Sequence, residues 1–394
     1  MNNINELYDI LGIQHQKNLV DLIEEKKALL NIKTNIHLAA ILNINKDTLS
    51  RIIKNEDYKI DIVSLIKLAN FLELDVDKVV SAYIANTTKE IIEEIEHSKK
   101  ASFIANNFDL NGLEKINFIK DKSNIIDIEH RIIDFFGLKS IYDYKENFAY
   151  SLFSKSKLKS QDFMNEFWIK CAYNQFNRIQ NNNDFSVERL EDMVTKIRPY
   201  TLNIDTGLLT IVRALFNIGI TVIVQDYISK TAVFGASFFI NNKPCIVLTN
   251  HYKRYDLLWF TLFHELAHII FDLEELKSQK FHLSGMADLL LLNEERANRF
   301  AEEMLFNEDK LNYISSNINN YNLVKAYAER NYVHPSIIYG FYIKKNSNKE
   351  EHYKRYSKYL ISSEQAIAPL KSNIWDYDKN VQLELEKILD KINA

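Results

Sequence analysis

The stretch that most limits how this chain can fold is Trp259–Asp272, which reads WFTLFHELAHIIFD. Phe260, Leu262, Phe263, Leu266, Ile269 and Ile270 are apolar, and neither Pro nor Gly interrupts them. The pattern predicts a buried helix. It carries His264, Glu265 and His268 in the order H-E-x-x-H. Positions i and i+4 share a helix face, so both imidazoles point the same way. Two neutral imidazoles on one face form half of a tetrahedral zinc site, and Glu265 then lies beside the fourth, water-bearing position.

A motif this short needs a third ligand. Asn293–Ala301 reads NEERANRFA, and Glu294 follows His268 by 26 positions (294 − 268). A His-His-Glu set with one open position is the catalytic zinc arrangement of the thermolysin-like class. The run NEERAN resembles that class's second motif, with Glu294 as ligand. Asn298, one turn later, is placed to hydrogen-bond a ligand histidine from behind. Glu295 is the rival ligand, pointing about 100° round the helix from Glu294. An isolated Glu-Glu pair is ordinarily a solvated helix face; the upstream H-E-x-x-H gives this pair its other reading. Asp272 either orients a ligand histidine or caps the helix. With zinc held by His264, His268 and Glu294, Glu265 is the general base that takes a proton from the attacking water. No motif identifies a donor for the transition-state oxyanion; His282, His334 and several tyrosines are available, and His334, preceding Pro335, reads as structural.

The rest of the chain supplies the setting. With 394 residues and 46% hydrophobic content there is enough apolar mass for two or three cores. The net charge of −4 gives no global basic field to recruit nucleic acid. Cys171 and Cys245 have no CxxC spacing, so neither a disulfide framework nor a cysteine metal site is indicated. The start, MNNINELYDI, lacks a signal-peptide core, and no apolar run reaches the ~18 residues of a membrane span. A cytoplasmic protein with no membrane partner is expected. Only 8 Gly and 4 Pro imply a mostly helical chain.

Near the N-terminus, Leu19–Leu30 has helical spacing. Residues 37–56 then read HLAAILNINKDTLSRIIKNE. Asn43-Ile44 makes a tight turn, Asn45 is a good N-cap for a helix from Lys46 to Ile53, and Asn55 suits its C-terminal end. An amphipathic helix Ile62–Leu72 follows. This arrangement resembles the helix-turn-helix of the Cro/C1-type (XRE) regulators, with Asn43 and Asn55 where that family usually has Gly. The resemblance implies that the second helix enters the major groove, with Lys46, Thr48, Ser50 and Arg51 facing DNA and Lys54 on its backbone. Against it, residues 1–90 hold 11 basic and 13 acidic residues, and Asp47 sits on the reading helix.

Residues 81–150 continue the helical pattern as a linker. The aromatic run Ile132–Tyr144 reads as core or helix contact, with a homodimer seam as the alternative. From Ser151 the texture changes. Phe163, Phe167, Trp168 and Phe176 read as core of a helical layer. Leu208–Ile218 is a helix, and Ile220–Gln225, Ala232–Ile240 and Cys245–Thr249 are strands, the last two joined at Asn241-Asn242. Phe234–Ile240 is the candidate edge strand for pairing with an extended substrate, though the sequence does not distinguish it from Cys245–Thr249. From about Asn346 the tail is charged, and a helix over Val381–Ile392 reads as solvated or partner-binding.

The order GITVIV, FGASFFINNKPCIVL, FTLFHELAHIIF, NEERANRFAEEML and VHPSIIYG resembles the ImmA/IrrE-type metallopeptidase domain, in which an XRE-type module often precedes the peptidase. Ala267 stands where that family usually has Gly. The resemblance implies a cytoplasmic zinc-dependent endopeptidase that cleaves a partner repressor or regulator in a phage- or stress-linked response. The alternative is a transcriptional regulator or antitoxin whose peptidase-like domain only binds a partner. The fold expected is α+β, mostly α. A helix-turn-helix bundle spans 1–80 and a helical linker 81–150. A small zincin-like domain, its short sheet packed on the H-E-x-x-H helix, spans 151–345, and a charged tail spans 346–394. One zinc per chain is expected, with another divalent metal as the alternative, and the partners expected are a protein substrate and, through residues 18–80, DNA.

Overall fold

A computed structural model of the protein describes residues 18–54, 60–84, 89–146, 163–228, 231, 233, 235–279, 281–284, 291–346, 348–372 and 374–394. The chain divides into two compact units, Met1–Phe103 and Ile104–Ala394. It is α+β and mostly helical, with one four-stranded sheet among the described residues.

In the first unit, α1 (Leu19–Leu29), α2 (Asn35–Leu42), α3 (Lys46–Ile53), α4 (Ile62–Leu72) and α5 (Val76–Ile84) close around Ile23, Leu38, Leu49, Leu68 and Val79. Polar caps punctuate them. Thr34 accepts from the His37 N–H to start α2, Asn43 closes it in the left-handed conformation (φ 48°), and Asn45 accepts from the Asp47 N–H to start α3. Each cap satisfies backbone groups that a short helix leaves orphaned. Asn55 lies outside the described residues. Helix α6 (Lys89–Asn107) follows.

The second unit begins where a linker was expected. Helices α7 (Leu110–Lys115), α8 (Ile125–Phe136) and α9 (Asp143–Glu146) pack on α10 (Phe163–Ile179). Phe118 meets Phe135 and Phe167 edge-on, Lys170 donates to the Tyr144 carbonyl, and Asn174 to that of Phe135. The aromatic run Ile132–Tyr144 is therefore core of this unit: Ile132, Phe135, Phe136, Ile141 and Tyr144 are buried within the chain itself.

Helices α11 (Val187–Val194) and α12 (Gly207–Asn217) lead into the sheet. Strands β1 (Thr221–Gln225), β2 (Gly235–Ile240) and β3 (Lys243–Thr249) are almost entirely buried, which is why they read as unbroken apolar runs. Asn241 and Asn242 both have positive φ, 52° and 59°, the signature of a tight two-residue hairpin turn between β2 and β3. The H-E-x-x-H helix is α13 (Tyr255–Phe271), packed on β2 and β3. It is followed by α14 (Leu273–Gln279), β4 (Phe281–Ser284) and α15 (Leu291–Phe306).

The strand order is β1-β3-β2-β4, with β1 parallel to β3 and the other pairs antiparallel. This corrects the expected edge. Strand β2 is interior because β4, a short segment with no clear periodicity, adds to its outer side; Phe234 lies outside the described residues. Strand β3, the other candidate, is interior too, and among the described residues the outer strands are β1 and β4.

Helices α16 (Glu308–Ser315), α17 (Tyr321–Arg330), α18 (Pro335–Lys345), α19 (Lys349–Tyr356), α20 (Glu364–Ile367) and α21 (Val381–Asn393) complete the unit. The region read as a charged tail is built into it. Val381, Leu385, Ile388 and Ile392 of α21 are buried, and the helix packs on α10 and α12. Trp375 and Leu370 are buried too, and Lys371 bridges to Val224 on β1. Its charges occupy one face of an amphipathic helix whose other face is core. Among the described residues no helix is long and apolar enough to cross a membrane.

Candidate metal centre

Helix α13 is apolar around nearly its whole circumference, and Leu262, Phe263, Leu266, Ala267 and Ile269 are fully buried. The helix therefore cannot turn His264, Glu265 and His268 to solvent; Glu265 is 0% exposed and His268 1%. Helix α15 crosses α13 and presents Glu294 to the same point. Glu294 Oε2 lies 3.5 Å from His264 Nε2, Glu294 Oε1 lies 3.3 Å from His268 Nε2, and the two Nε2 atoms are 3.1 Å apart. Glu295, the rival ligand, is exposed on the next face of the helix.

The outer nitrogens fix the tautomers. His264 Nδ1 is 3.1 Å from Asn298 Oδ1, and His268 Nδ1 is 2.7 Å from Asp272 Oδ2. Both partners are acceptors, so both Nδ1 atoms carry the proton. In that neutral tautomer two Nε2 lone pairs and a carboxylate face one another, an arrangement that either a proton on His268 or a bound cation relieves. A zinc–nitrogen bond of about 2.1 Å at the tetrahedral angle puts two nitrogens about 3.4 Å apart, close to the separations found here. Burial works against charge on His268, but its hydrogen bonds to Asp272 and Glu294, with Glu265 nearby, outweigh burial and raise its pKa to about 9. The site demands positive charge from whatever occupies it, and the donor set fits a dication.

Several contacts carried no signal in the sequence. Ser237 on β2 donates its hydroxyl to Glu265 Oε2 at 2.6 Å. Glu265 Oε1 is buried with no hydrogen-bond partner among the described residues. It occupies the space beside Gly235, where an added Cβ would come within 2.4 Å of it. Arg296, on α15, binds the second oxygen of Asp272, so Asp272 both closes α13 and holds His268. Nothing local marks Ser237, Gly235 or Arg296, because each acts across a helix–sheet or helix–helix interface.

The other predicted positions fall elsewhere. His334 is the N-cap of α18, its Nδ1 accepting from the Ser336 N–H at 3.1 Å; its role is structural, as its place before Pro335 implied. His282 lies on β4, outside the described side chains. In the first unit Lys46, Arg51 and Lys54 are exposed along α3, Thr48 and Ser50 are half-buried, and Asp47 is exposed among them. Cys171 and Cys245 are buried, and burial pushes both thiols well above their ordinary pKa.

Residues 219–332, from the turn before β1 to the end of α17, match the model of the M78 peptidase family, described as the IrrE N-terminal-like domain. The match contains the sheet, α13 and Glu294. No curated protein and no solved structure matches the chain. The second unit thus carries a metallopeptidase-like domain.

Proposed function

We propose that the protein is a zinc-dependent endopeptidase with a DNA-binding N-terminal unit, and that its substrate is a partner regulator protein of a phage- or stress-linked response. The observation that carries the enzyme reading is the convergence of His264, His268 and Glu294, whose ligand atoms lie within 4.8 Å of one another, around a neighbouring buried Glu265. Burying a carboxylate with a single donor is costly. A scaffold that only bound a partner would gain nothing from carrying that cost at 265.

In this reading His264, His268 and Glu294 hold the ion, and Asn298 and Asp272 aim the two imidazoles. Zinc, or another dication, supplies Lewis acidity that acidifies water and polarises a carbonyl. Glu265 takes the water proton and returns it to the leaving amine. Ser237 holds one carboxylate oxygen and leaves the other for the proton. Regulator cleavage rests on the resemblance of the second unit to the ImmA/IrrE-type peptidases, and DNA binding on that of residues 18–80 to XRE-type modules, with Lys46, Thr48, Ser50, Arg51 and Lys54 as the contacting side chains.

Elemental analysis of four proteins tests the centre. Wild type should carry about one zinc per chain. His264→Ala and Glu294→Ala should lose it, and Glu265→Gln should keep it while losing cleavage, because an amide cannot accept the water proton. Wild type that stays metal-free after incubation with zinc would sink the enzyme reading. Retardation of the upstream DNA by the full chain at low and high salt, with and without Arg51→Ala, tests the first unit; an unchanged Arg51→Ala complex would remove those contacts.

A further inference from the structure

Gly235 and Ser237 are the β2 residues that meet the Glu265 carboxylate: the first leaves room for Oε1 and the second donates to Oε2. The free edge of that same stretch is taken by β4. The antiparallel register runs Gly235↔Ser284, Ala236↔Leu283, Ser237↔His282 and Phe238↔Phe281. The strand that fastens the candidate general base is therefore the strand that β4 covers.

An extended polypeptide is held at a sheet edge by strand addition, and distance decides which edge can serve. Neighbouring strands lie about 4.8 Å apart, so a chain added outside β4 would lie roughly 10 Å from β2, and one added outside β1 roughly 15 Å. The outer side of β1 is also bridged, Val224 pairing with Lys371. Proton transfer by Glu265 needs contact at about 3 Å or through one water, and Glu265 is tied to β2. The place directly against β2 meets that requirement, and β4 fills it. Strand β4 is also the least secured of the four. It has four residues, against five, six and seven in β1, β2 and β3, and among the described residues it pairs on one side alone. A short edge element of this kind opens at the low end of the range of local unfolding costs.

We propose that β4 is a built-in substitute for the substrate strand: in the resting chain it occupies the edge of β2 that the cleaved segment must take, and the segment enters by displacing it. The inference rests on the endopeptidase reading and adds regulation to that site. The partner must then present at least four residues of extended, unpaired backbone, and an already paired or helical segment is spared.

The test locks β4 in place. Register partners in an antiparallel ladder have Cα atoms about 4.5–5.5 Å apart, within disulfide range. Ala236→Cys with Leu283→Cys joins the two strands, and Ala236 alternates to the face away from Gly235 and Ser237. Cys245→Ala removes the thiol two residues from Val247, which pairs Ala236 on its other side. The zinc-loaded full chain with these three changes is compared before and after oxidation. Calorimetry reads the Kd of acetohydroxamate, too short to pair with a strand, and of a hydroxamate carrying an acetylated five-residue peptide of alternating threonine and valine. Oxidation should leave acetohydroxamate unchanged and weaken the peptidyl compound at least ~10-fold, the yield of two or three strand hydrogen bonds; reduction should restore it. A peptidyl compound that binds equally well in both forms, or no tighter than acetohydroxamate in the reduced form, would overturn the substitution and leave the endopeptidase reading standing. A thiol pair that does not oxidise would refute the register on which the inference stands. A wild-type chain that takes up neither zinc nor acetohydroxamate would overturn the endopeptidase reading and the inference with it.

Discussion

The Ser237 hydroxyl reaches across from β2 to Glu265 on α13 and donates to Oε2 at 2.6 Å, with both residues at 0% exposure. It is the one hydrogen bond to that carboxylate among the described side chains, and it fixes the candidate general base relative to the sheet rather than relative to its own helix. Sheet and helix must therefore dock correctly before the base is in place.

Removing that donor should hurt twice. Ser237→Ala leaves both oxygens of a buried carboxylate unpaired, at a cost of about 1–3 kcal/mol in stability. Urea denaturation should show this, and cleavage should fall, while Ser237→Thr should restore much of both. A Ser237→Ala protein as stable as wild type would mean that the hydroxyl does not hold Glu265.

Gly235 should tolerate no side chain. A Cβ there would lie 2.4 Å from Glu265 Oε1 and 2.7 Å from Thr261 Cγ2, both on the packed face of α13. Gly235→Ala should destabilise by about 1–3 kcal/mol, the usual cost of overpacking, and should displace the carboxylate. Zinc content should survive, since Gly235 touches none of the three ligands. Normal stability together with normal cleavage would refute the close approach.

The Arg296–Asp272–His268 chain should set metal affinity. Asp272→Ala frees the His268 ring from its Nδ1 partner and should weaken zinc binding by about 10–100-fold. Arg296→Ala leaves Asp272 in place and should weaken it less. Competition against a chromogenic chelator ranks the three proteins, and an Arg296→Ala loss larger than that of Asp272→Ala would reverse the assigned order of contacts.

Acid should destabilise the second unit partly through His334. Burial lowers its pKa from 6.5 to about 4, and its neutral Nδ1 accepts the Ser336 N–H that starts α18. The unfolded chain binds that proton more readily, so this contribution is complete above pH 6.5 and is lost as pH falls toward 4. His334→Asn keeps a capping oxygen but does not titrate. Urea midpoints at pH 7.5 and pH 5 should therefore lie closer together in the variant than in wild type; equal separations would assign the acid sensitivity elsewhere.

Deleting residues 381–394 should unfold or strongly loosen the second unit. The four buried side chains of α21, Val381, Leu385, Ile388 and Ile392, would leave matching apolar surface open on α10 and α12. At about 1.5–3 kcal/mol each, their loss exceeds about 5 kcal/mol, a large part of a typical domain's stability. Limited proteolysis of the truncated chain reports it directly, and unchanged resistance would return these residues to the status of a tail.

What was legible in the sequence is what acts within a turn or two. The spacing of His264 and His268 puts them on one helix face whatever surrounds the helix. Asn43 and Asn45 end one helix and start the next through their own side chains and backbone, and Asn241-Asn242 turns a hairpin for the same reason. Contacts between distant segments had no such signature. The choice of Glu294 over Glu295 depends on how α15 is rotated against α13. The interior place of β2 depends on the arrival of β4, and the burial of α21 depends on apolar surface offered by α10 and α12. Ser237, Gly235 and Arg296 are ordinary residues by composition and period. Packing brings each against a residue 24 or more positions away, and the low dielectric of that packed interior makes their single contacts matter.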